Sequence, residues 1–352
     1  MRTRTTLVSF LAIALLAWFL RHANLSDVWS QVRRANVTYL VLALVCVAVT
    51  YWVRAWRWQM LLAPLGPTRF RTAFRTTVIG FAALSLLPAR AGDLLRPYLL
   101  ARQEGLPAPA TFATIVMERV LDMIAVILLL AIFVWGFADP ETLSGTLKRS
   151  VEVSTALAGA AALALLALMW VLAAHPERIG RLVFSAARVL PRGVAVRLGR
   201  VASTFSGGFA VARRPRYLVL ATISSVPLWL AIAAEAWFVT RAFGIDMSFP
   251  GTFLLQAILV IGVAVPTPGA VGSYHEAYRI GVTTFFKATN DAAVAAAIVV
   301  HAVAFIPIVL VGILFMAQDG LSVGRLQTLA GAAREKELPD TDEMPVLRSS
   351  RR

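Results

Sequence analysis

Charged residues interrupt an apolar stretch at LSLLPARAGDLLRPYLLAR, residues 84–102. Arg90, Asp93 and Arg96 follow one another at intervals of three, so a helical turn places them roughly on one face. A proline and a glycine in the same stretch favour a break in the helix. Two guanidiniums can hold a phosphate bidentately, and a carboxylate between them can keep them oriented. We therefore predict a phosphate-binding site at Arg90, Asp93 and Arg96; the alternative is ordinary anchoring of a helix end at a membrane interface.

A second charged group, Glu118, Arg119 and Asp122, lies near one end of a later apolar run. Glu118 and Asp122 are four residues apart and Arg119 is three from Asp122, so all three can interact on one helix. They could pair with the Arg90/Arg96 motif and couple the movement of substrate or protons. They could equally form a structural ion network, and the sequence leaves both interpretations open.

A matching broken stretch, VAVPTPGAVGSYHEAYR, spans residues 263–279. Gly269 and Gly272 would allow close approach of backbone or ligand. Glu276 and Arg279 follow as a carboxylate and an arginine, as in the first stretch. Two such segments, one in each half of a membrane chain, point to the central site of a transporter.

Ser273 and Glu276 have the spacing of a capping box, in which the two side chains satisfy the first turn of a helix. This favours a structural role for Ser273 and leaves Glu276 open to both a structural and a functional role. A helix that begins at Ser273 would also direct its positive N-terminus toward the membrane midplane, where an anion could bind.

Four further polar residues lie inside or near apolar runs. Glu235 is an intramembrane carboxylate without a partner nearby in the sequence, and His301 shares a helix ridge with small residues. Both are candidates for proton coupling, although a helix-packing role is favoured for His301. Arg54 and Arg57 lie among tryptophans, a pattern typical of side chains that snorkel to an interface.

The composition predicts a polytopic, all-α membrane protein. The 352 residues are 59% hydrophobic and 15% charged, with a mean hydropathy of +0.73. Soluble domains average ~45–50% hydrophobic and ~25% charged residues. The net charge of +15 favours basic loops beside anionic lipid over a nucleic-acid partner. The single cysteine rules out a disulfide framework within the chain.

Six apolar runs are candidate spans, and two shorter runs are predicted to be re-entrant helical hairpins. The candidate spans cover residues 6–20, 39–62, 111–137, 153–174, 218–243 and 291–317, and the hairpins begin with 74–87 and 252–265. Together they predict a transmembrane domain over residues 1–317 and a partly disordered cytoplasmic tail over 318–352.

The basic segment 175–217 sets the expected orientation. It carries nine arginines and one acid, so it should be cytoplasmic. We expect the protein to lie in the inner membrane of the cell. Counting spans from the basic segment then places both termini in the cytoplasm, and the two hairpins enter the membrane from opposite sides. The segment itself is either a pair of amphipathic helices on the inner leaflet or a plain linker.

No common enzyme motif occurs in the chain: H-E-x-x-H, the phosphate-binding P-loop and G-x-S-x-G are all absent. The four histidines are scattered along the chain. We therefore expect no catalytic residues, no metal, no cofactor and no enzyme activity.

Four blocks in this order, RAWRW, LPARAGDLLRP, ERVLD and PTPGAVGSYHE, resemble a flippase-like membrane family. That family includes the transmembrane region of lysylphosphatidylglycerol synthetase and UPF0104-type membrane proteins. The resemblance implies a multi-span fold with re-entrant segments that moves a lipid between leaflets. It maps onto Arg90, Gly92, Asp93, Arg96, Glu118, Arg119, Asp122, Pro268, Gly269, Gly272 and Glu276.

The chain departs from the family pattern at two positions. Ala270 replaces a frequent second glycine, and His301 stands near a frequent arginine. The synthetase's soluble aminoacyl-transferase domain has no counterpart in this sequence, so the resemblance does not imply lipid aminoacylation.

The leading prediction is a flippase for a lipid or lipid-linked substrate with a phosphate-bearing, anionic headgroup. On this prediction Arg96→Ala abolishes lipid movement and leaves the protein folded. The alternatives are a membrane-embedded lipid-modifying transferase, with Glu118 or Asp122 as a base, and a non-transporting membrane partner. Nucleic acid is not an expected partner, and the oligomeric state, including a homo-oligomer, is left open.

Overall fold

The protein is all-helical over the part of the chain that the structure describes. The computed structural model describes residues 16, 18–21, 25–87, 91–138, 145–187, 192–265 and 267–321. No strand occurs among these residues, so the predicted all-α class is confirmed for them. The helices α1–α12 are, in order, Leu25–Arg34, Val37–Leu62, Phe70–Leu86, Ala91–Glu104, Ala108–Gly136, Gly145–Ala174, Pro176–Ala186, Arg192–Gly207, Pro215–Ala242, Gly251–Ala264, Ser273–Phe286 and Asn290–Gln318.

Four of these helices are long and apolar enough to cross a membrane. They cover Val37–Leu62, Lys148–Ala174, Pro215–Ala242 and Asn290–Gln318. Their outer faces expose large apolar side chains such as Leu157, Leu163 and Leu310, which only lipid can cover favourably. The chain is therefore a multi-pass membrane protein.

The count of six spans remains a prediction. The first candidate span, residues 6–20, lies almost entirely outside the described residues. The third candidate corresponds to α5, a 29-residue helix that buries side chains along most of its length, from Ala110 to Val134.

The two broken stretches form pairs of short helices, α3 with α4 and α10 with α11. Helix α3 has 17 residues and the other three have 14 each, whereas a span needs ~20. Short helices joined at a break are what a re-entrant hairpin requires, but re-entry itself remains a prediction. Residues 88–90, between α3 and α4, lie outside the described residues, so Arg90 cannot be positioned.

Glycines allow the two helices of each pair to pack closely. A Cβ atom on Gly92 would overlap the carbonyl oxygen of Gly80, and one on Gly80 would lie 2.6 Å from Cβ of Arg96. In the second pair, a Cβ on Gly262 would lie 2.6 Å from Cβ of Ala277. Small residues at these crossings let the backbones approach closely, as they do in other membrane helices.

The two breaks also touch each other. Gly269 and Gly272 have positive φ angles of 59° and 85° and turn the chain between α10 and α11. A Cβ on Gly269 would lie 3.5 Å from the carbonyl oxygen of Ser85, near the end of α3. The end of the first short helix therefore packs against the turn of the second broken segment.

The basic segment 175–217 is largely helical. It contains α7, α8 and a 3-10 helix over Gly208–Arg213. Helices α7 and α8 cross at Gly180 and Gly199, where a Cβ on either glycine would lie 2.8 Å from the other's carbonyl oxygen. Contact of this segment with the inner leaflet remains a prediction.

Candidate functional site

Seven charged side chains from three helices meet inside the protein. Helix α2 contributes two arginines, α4 an aspartate and an arginine, and α5 two carboxylates and an arginine. We call this group the ion cluster; its members are Arg54, Arg57, Asp93, Arg96, Glu118, Arg119 and Asp122.

Glu118 is the centre of the ion cluster and is fully buried. Its Oε1 accepts hydrogen bonds from Nη1 of Arg96 at 2.8 Å and from Nη1 of Arg54 at 3.3 Å. Nη2 of Arg57 lies 3.7 Å from the same oxygen. The Arg96 guanidinium also stacks 4.0 Å above the ring of Trp58. One carboxylate oxygen therefore lies within 4 Å of three buried guanidiniums.

Asp122, one helical turn further along α5, is the second centre. Its Oδ1 lies 2.7 Å from Nη2 of Arg57 and accepts a hydrogen bond from Nε1 of Trp229 at 3.0 Å. Its Oδ2 lies 3.5 Å from Nη1 of Arg119, and Arg119 donates to Asp93 at 3.2 Å. Four arginines thus face three carboxylates, which leaves one positive charge in excess within the ion cluster.

The interpretation of Arg54 and Arg57 as snorkelling residues is wrong. Arg54 is 6% exposed and Arg57 0% exposed, and both pair with the α5 carboxylates instead of reaching the membrane surface. The physical reason is that the desolvation cost of a buried arginine is offset when carboxylates face it. The sequence did contain a signal for this pairing. Arg54 and Arg57 are three residues apart on one apolar helix, and the two α5 carboxylates are four residues apart on another.

A cavity of about 440 Å³ adjoins the ion cluster. Arg54, Arg119 and Asp122 form its charged wall, and apolar side chains form most of the remainder. The walls come from α2, the end of α3, α5, α9, α10, the turn at 267–270, α11 and α12. Both broken segments therefore border one space that has a polar end and an apolar body.

The predicted site residues divide into three groups by position. Arg119, Asp122, Gly269 and Glu235 line the cavity. Arg96, Glu118 and Asp93 belong to the ion cluster but do not line the cavity. Sequence reasoning gave no ligand role to Arg54, which the structure places on the charged wall.

The remaining predicted residues lie near the second break. Glu276 pairs with Arg279, whose Nε donates to Oε2 at 2.8 Å, and neither residue lines the cavity. The predicted capping box is wrong: Gly272, not Ser273, precedes the first helical residue. The amide of Gly272 donates to Nδ1 of His275 at 3.1 Å, and the Ser273 hydroxyl bonds to the carbonyl oxygen of Ala270.

His301 connects the last helix to the second break. Its Nε2 lies 2.7 Å from the carbonyl oxygen of Gly269, and a carbonyl only accepts, so Nε2 carries the proton. Its ring stacks on Phe305 at 4.3 Å and lies 4.5 Å from the ring of His275. This bond holds a cavity-lining glycine in place, which is the helix-packing role favoured from the sequence.

We predict that His301→Phe loosens the turn at residues 267–270 because the Gly269 carbonyl loses its partner. The expected loss of stability is about 0.5–1.5 kcal/mol, the usual net contribution of one hydrogen bond, because the Gly269 carbonyl is only partly buried. Hydrogen exchange of the turn's amides should become faster. His301→Gln, which retains a donor, should show a smaller change; equal exchange in wild type and both variants would contradict this role.

No group of three or more His, Cys, Asp or Glu side chains able to hold a metal ion occurs among the residues that the structure describes. Beside its aliphatic walls, the cavity presents guanidinium, carboxylate, hydroxyl, amide, thioether and aromatic groups.

The fold and the cavity define a multi-pass membrane protein with a charged internal site. Residues 6–312 match the family described as the lysylphosphatidylglycerol synthase TM region. The chain belongs to this family, which confirms the resemblance drawn from the four sequence blocks.

Two curated proteins are similar to this chain. It is 27% identical over 332 residues to glycosyltransferase AglD of Haloferax volcanii, covering 85% of this chain and 52% of that protein. It is 25% identical over 138 residues to a UPF0104 membrane protein of Methanocaldococcus jannaschii, covering 38% of this chain and 41% of that protein. The matches thus span roughly half the length of each relative.

These names correct one expectation. The absence of enzyme motifs led to the prediction of a non-enzyme, but the family is named for a synthase and one relative is named a glycosyltransferase. The absence of three short motifs does not exclude enzyme activity, so it was a weak basis for that prediction.

Proposed function

We propose that this protein binds a lipid with a phosphate-bearing headgroup in the cavity and moves that headgroup between leaflets. The observation that carries the proposal is the position of Arg54 and Arg119 on the wall of a mostly apolar cavity beside both helix breaks. Guanidiniums bind phosphate through charge-assisted hydrogen bonds, and apolar walls accept acyl or prenyl chains.

The excess positive charge of the ion cluster favours an anionic ligand over a neutral one. Within the cluster, Arg119 has the more accessible guanidinium: its side chain is 38% exposed, against 8% for Arg54. Arg96 lies behind this wall, against Trp58 and Glu118. We therefore assign the headgroup contact to Arg119 and Arg54, and a supporting role to Arg96.

The proposed movement uses the two broken helix pairs as hairpins that reach the cavity from opposite faces of the membrane. This arrangement, with both termini in the cytoplasm and the protein in a cell inner membrane, is part of the proposal. Cysteines introduced at exposed positions of α7 would report the orientation, after removal of Cys46, by their labelling with a membrane-impermeant thiol reagent.

The function is tested by leaflet exchange in proteoliposomes with headgroup-labelled anionic and zwitterionic lipids. Arg119→Gln should slow exchange of anionic lipids by about tenfold or more, since one charge-assisted hydrogen bond contributes about 1.5–3 kcal/mol. Arg241→Gln is the matched control because Arg241 forms an ion pair with Asp246 away from the cavity. Wild-type exchange in Arg119→Gln would remove the headgroup assignment.

A second candidate is transfer of a chemical group to or from the bound lipid. The name of the Haloferax relative, which aligns with 85% of this chain, favours it. The same proteoliposomes, supplied with a nucleotide-linked or lipid-linked sugar as group donor, distinguish the candidates. Mass spectrometry of the recovered lipids reveals a modified product in the case of transfer, whereas movement alone leaves every lipid mass unchanged. A modified product that disappears in Arg119→Gln would place the transfer at this cavity.

A further inference from the structure

Glu235 is a buried carboxylate that the ion cluster does not use. It lies in the C-terminal third of α9, is 5% exposed and lines the cavity. Its Oε1 has no hydrogen-bond partner, and no described basic residue forms an ion pair with it. Arg54, the basic residue that shares its cavity from α2, bonds to Glu118 and Asp122 instead.

Among the described residues that line the cavity, the only basic ones are Arg54 and Arg119 of the ion cluster. Helix α10 carries no ionisable side chain, and the α12 residues on the cavity wall are Ala304 and Phe305. Ionisable neighbours come from α2, α5 and α11: Cys46, Tyr51, Arg54, Arg119, Asp122, Tyr274 and Tyr278. The tyrosines and the cysteine are neutral donors at most, so they cannot balance an anion.

A buried ionised carboxylate without a partner is unfavourable, and such a group normally takes up a proton. The charge becomes tolerable again when water or a cationic or donor-rich group enters the cavity. Glu235 is buried, has an unpartnered oxygen and lines the cavity. Its protonation state should therefore depend on whether the cavity holds water or other groups.

We propose that Glu235 is a proton-binding site of the cavity, neutral when water is excluded and ionised when water enters. The step is a simple acid–base exchange: a proton from water adds to a carboxylate oxygen, and it returns to water when the cavity is hydrated. Where lipid movement is concerned, this inference rests on the proposed function, and it would make headgroup exchange depend on pH.

Infrared difference spectroscopy tests the proton site without requiring any lipid movement. The full chain, reconstituted in phospholipid bilayers, is titrated with alkali while the carbonyl stretch of protonated carboxylic acid is followed. Wild type should lose one such group per chain, and Glu235→Gln should lack that signal. Glu177→Gln is the control because this glutamate is exposed on α7 and should leave the signal intact.

Glutamine has the shape of the protonated acid, so Glu235→Gln should fold; helicity and gel-filtration profile verify this. An unchanged signal in Glu235→Gln, or no protonated acid in wild type, would overturn the proton site even if lipids exchange. A signal that only Glu235→Gln removes supports it, even if no lipid exchanges. If lipids do exchange, Glu235→Gln should abolish the pH dependence of the rate, and a retained pH dependence would overturn the coupling.

Discussion

Glu118→Gln should destabilise the protein by about 3–5 kcal/mol, the cost of removing one partner from a buried ion pair. The change leaves Arg54, Arg57 and Arg96 without their shared carboxylate oxygen and raises the excess charge of the ion cluster from one to two. Equilibrium unfolding of the reconstituted protein, followed by circular dichroism, measures the loss. Lower yield of folded protein on expression should accompany it.

A second change separates charge imbalance from lost packing. Adding Arg96→Met to Glu118→Gln restores the original charge excess, and apolar replacement of buried ion pairs is often neutral. The double variant should therefore recover part of the lost stability. Glu177→Gln, at an exposed site, should behave as wild type. If Glu118→Gln unfolds at the same denaturant concentration as wild type, the ion cluster does not stabilise the fold.

Gly92→Ala should force α3 and α4 apart. The added methyl carbon would overlap the carbonyl oxygen of Gly80 and lie 2.9 Å from Cα of Leu84, well inside the ordinary carbon–carbon contact of about 3.5–4.0 Å. These are backbone atoms of α3, which cannot rotate away as a side chain would. The expected cost is at least about 1–3 kcal/mol, the usual range for overpacking.

The distance between α3 and α4 in Gly92→Ala should be measurable, in addition to the free energy of unfolding. Spin labels on α3 and α4, read by electron paramagnetic resonance, should report a longer distance in Gly92→Ala than in wild type. Gly136→Ala is the matched control because no atom lies within 4 Å of the added carbon there. An unchanged distance together with unchanged stability would show that the helices do not cross at this glycine in the membrane.

Much of the general organisation was readable from the sequence. The apolar runs and low charge predicted a helical membrane protein, because a chain in lipid must satisfy its backbone internally and helices do so locally. Prolines and glycines marked both broken segments, since these residues change the backbone conformation locally. The four motif blocks identified the family because each block is a short stretch that can be recognised in the sequence directly.

Sequence reasoning found only part of the ion cluster. It offered pairing of Glu118, Arg119 and Asp122 with the Arg90/Arg96 motif, and the structure shows the Arg96–Glu118 and Asp93–Arg119 pairs. Arg54 and Arg57 were attributed to an interface, since that interpretation used only neighbours along the chain. The structure pairs these arginines with Glu118 and Asp122, more than 60 residues away in the chain.

The sequence by itself determined the membrane class, the helical content and the places where helices break, because these depend on local hydrophobicity and backbone freedom. Tertiary structure alone decided that Gly80 meets Gly92, that Arg54 lines the cavity and that Glu235 forms no ion pair with any described residue. Burial and pairing are properties of the packed helices: the same carboxylate is compensated or isolated according to which side chains of distant helices face it.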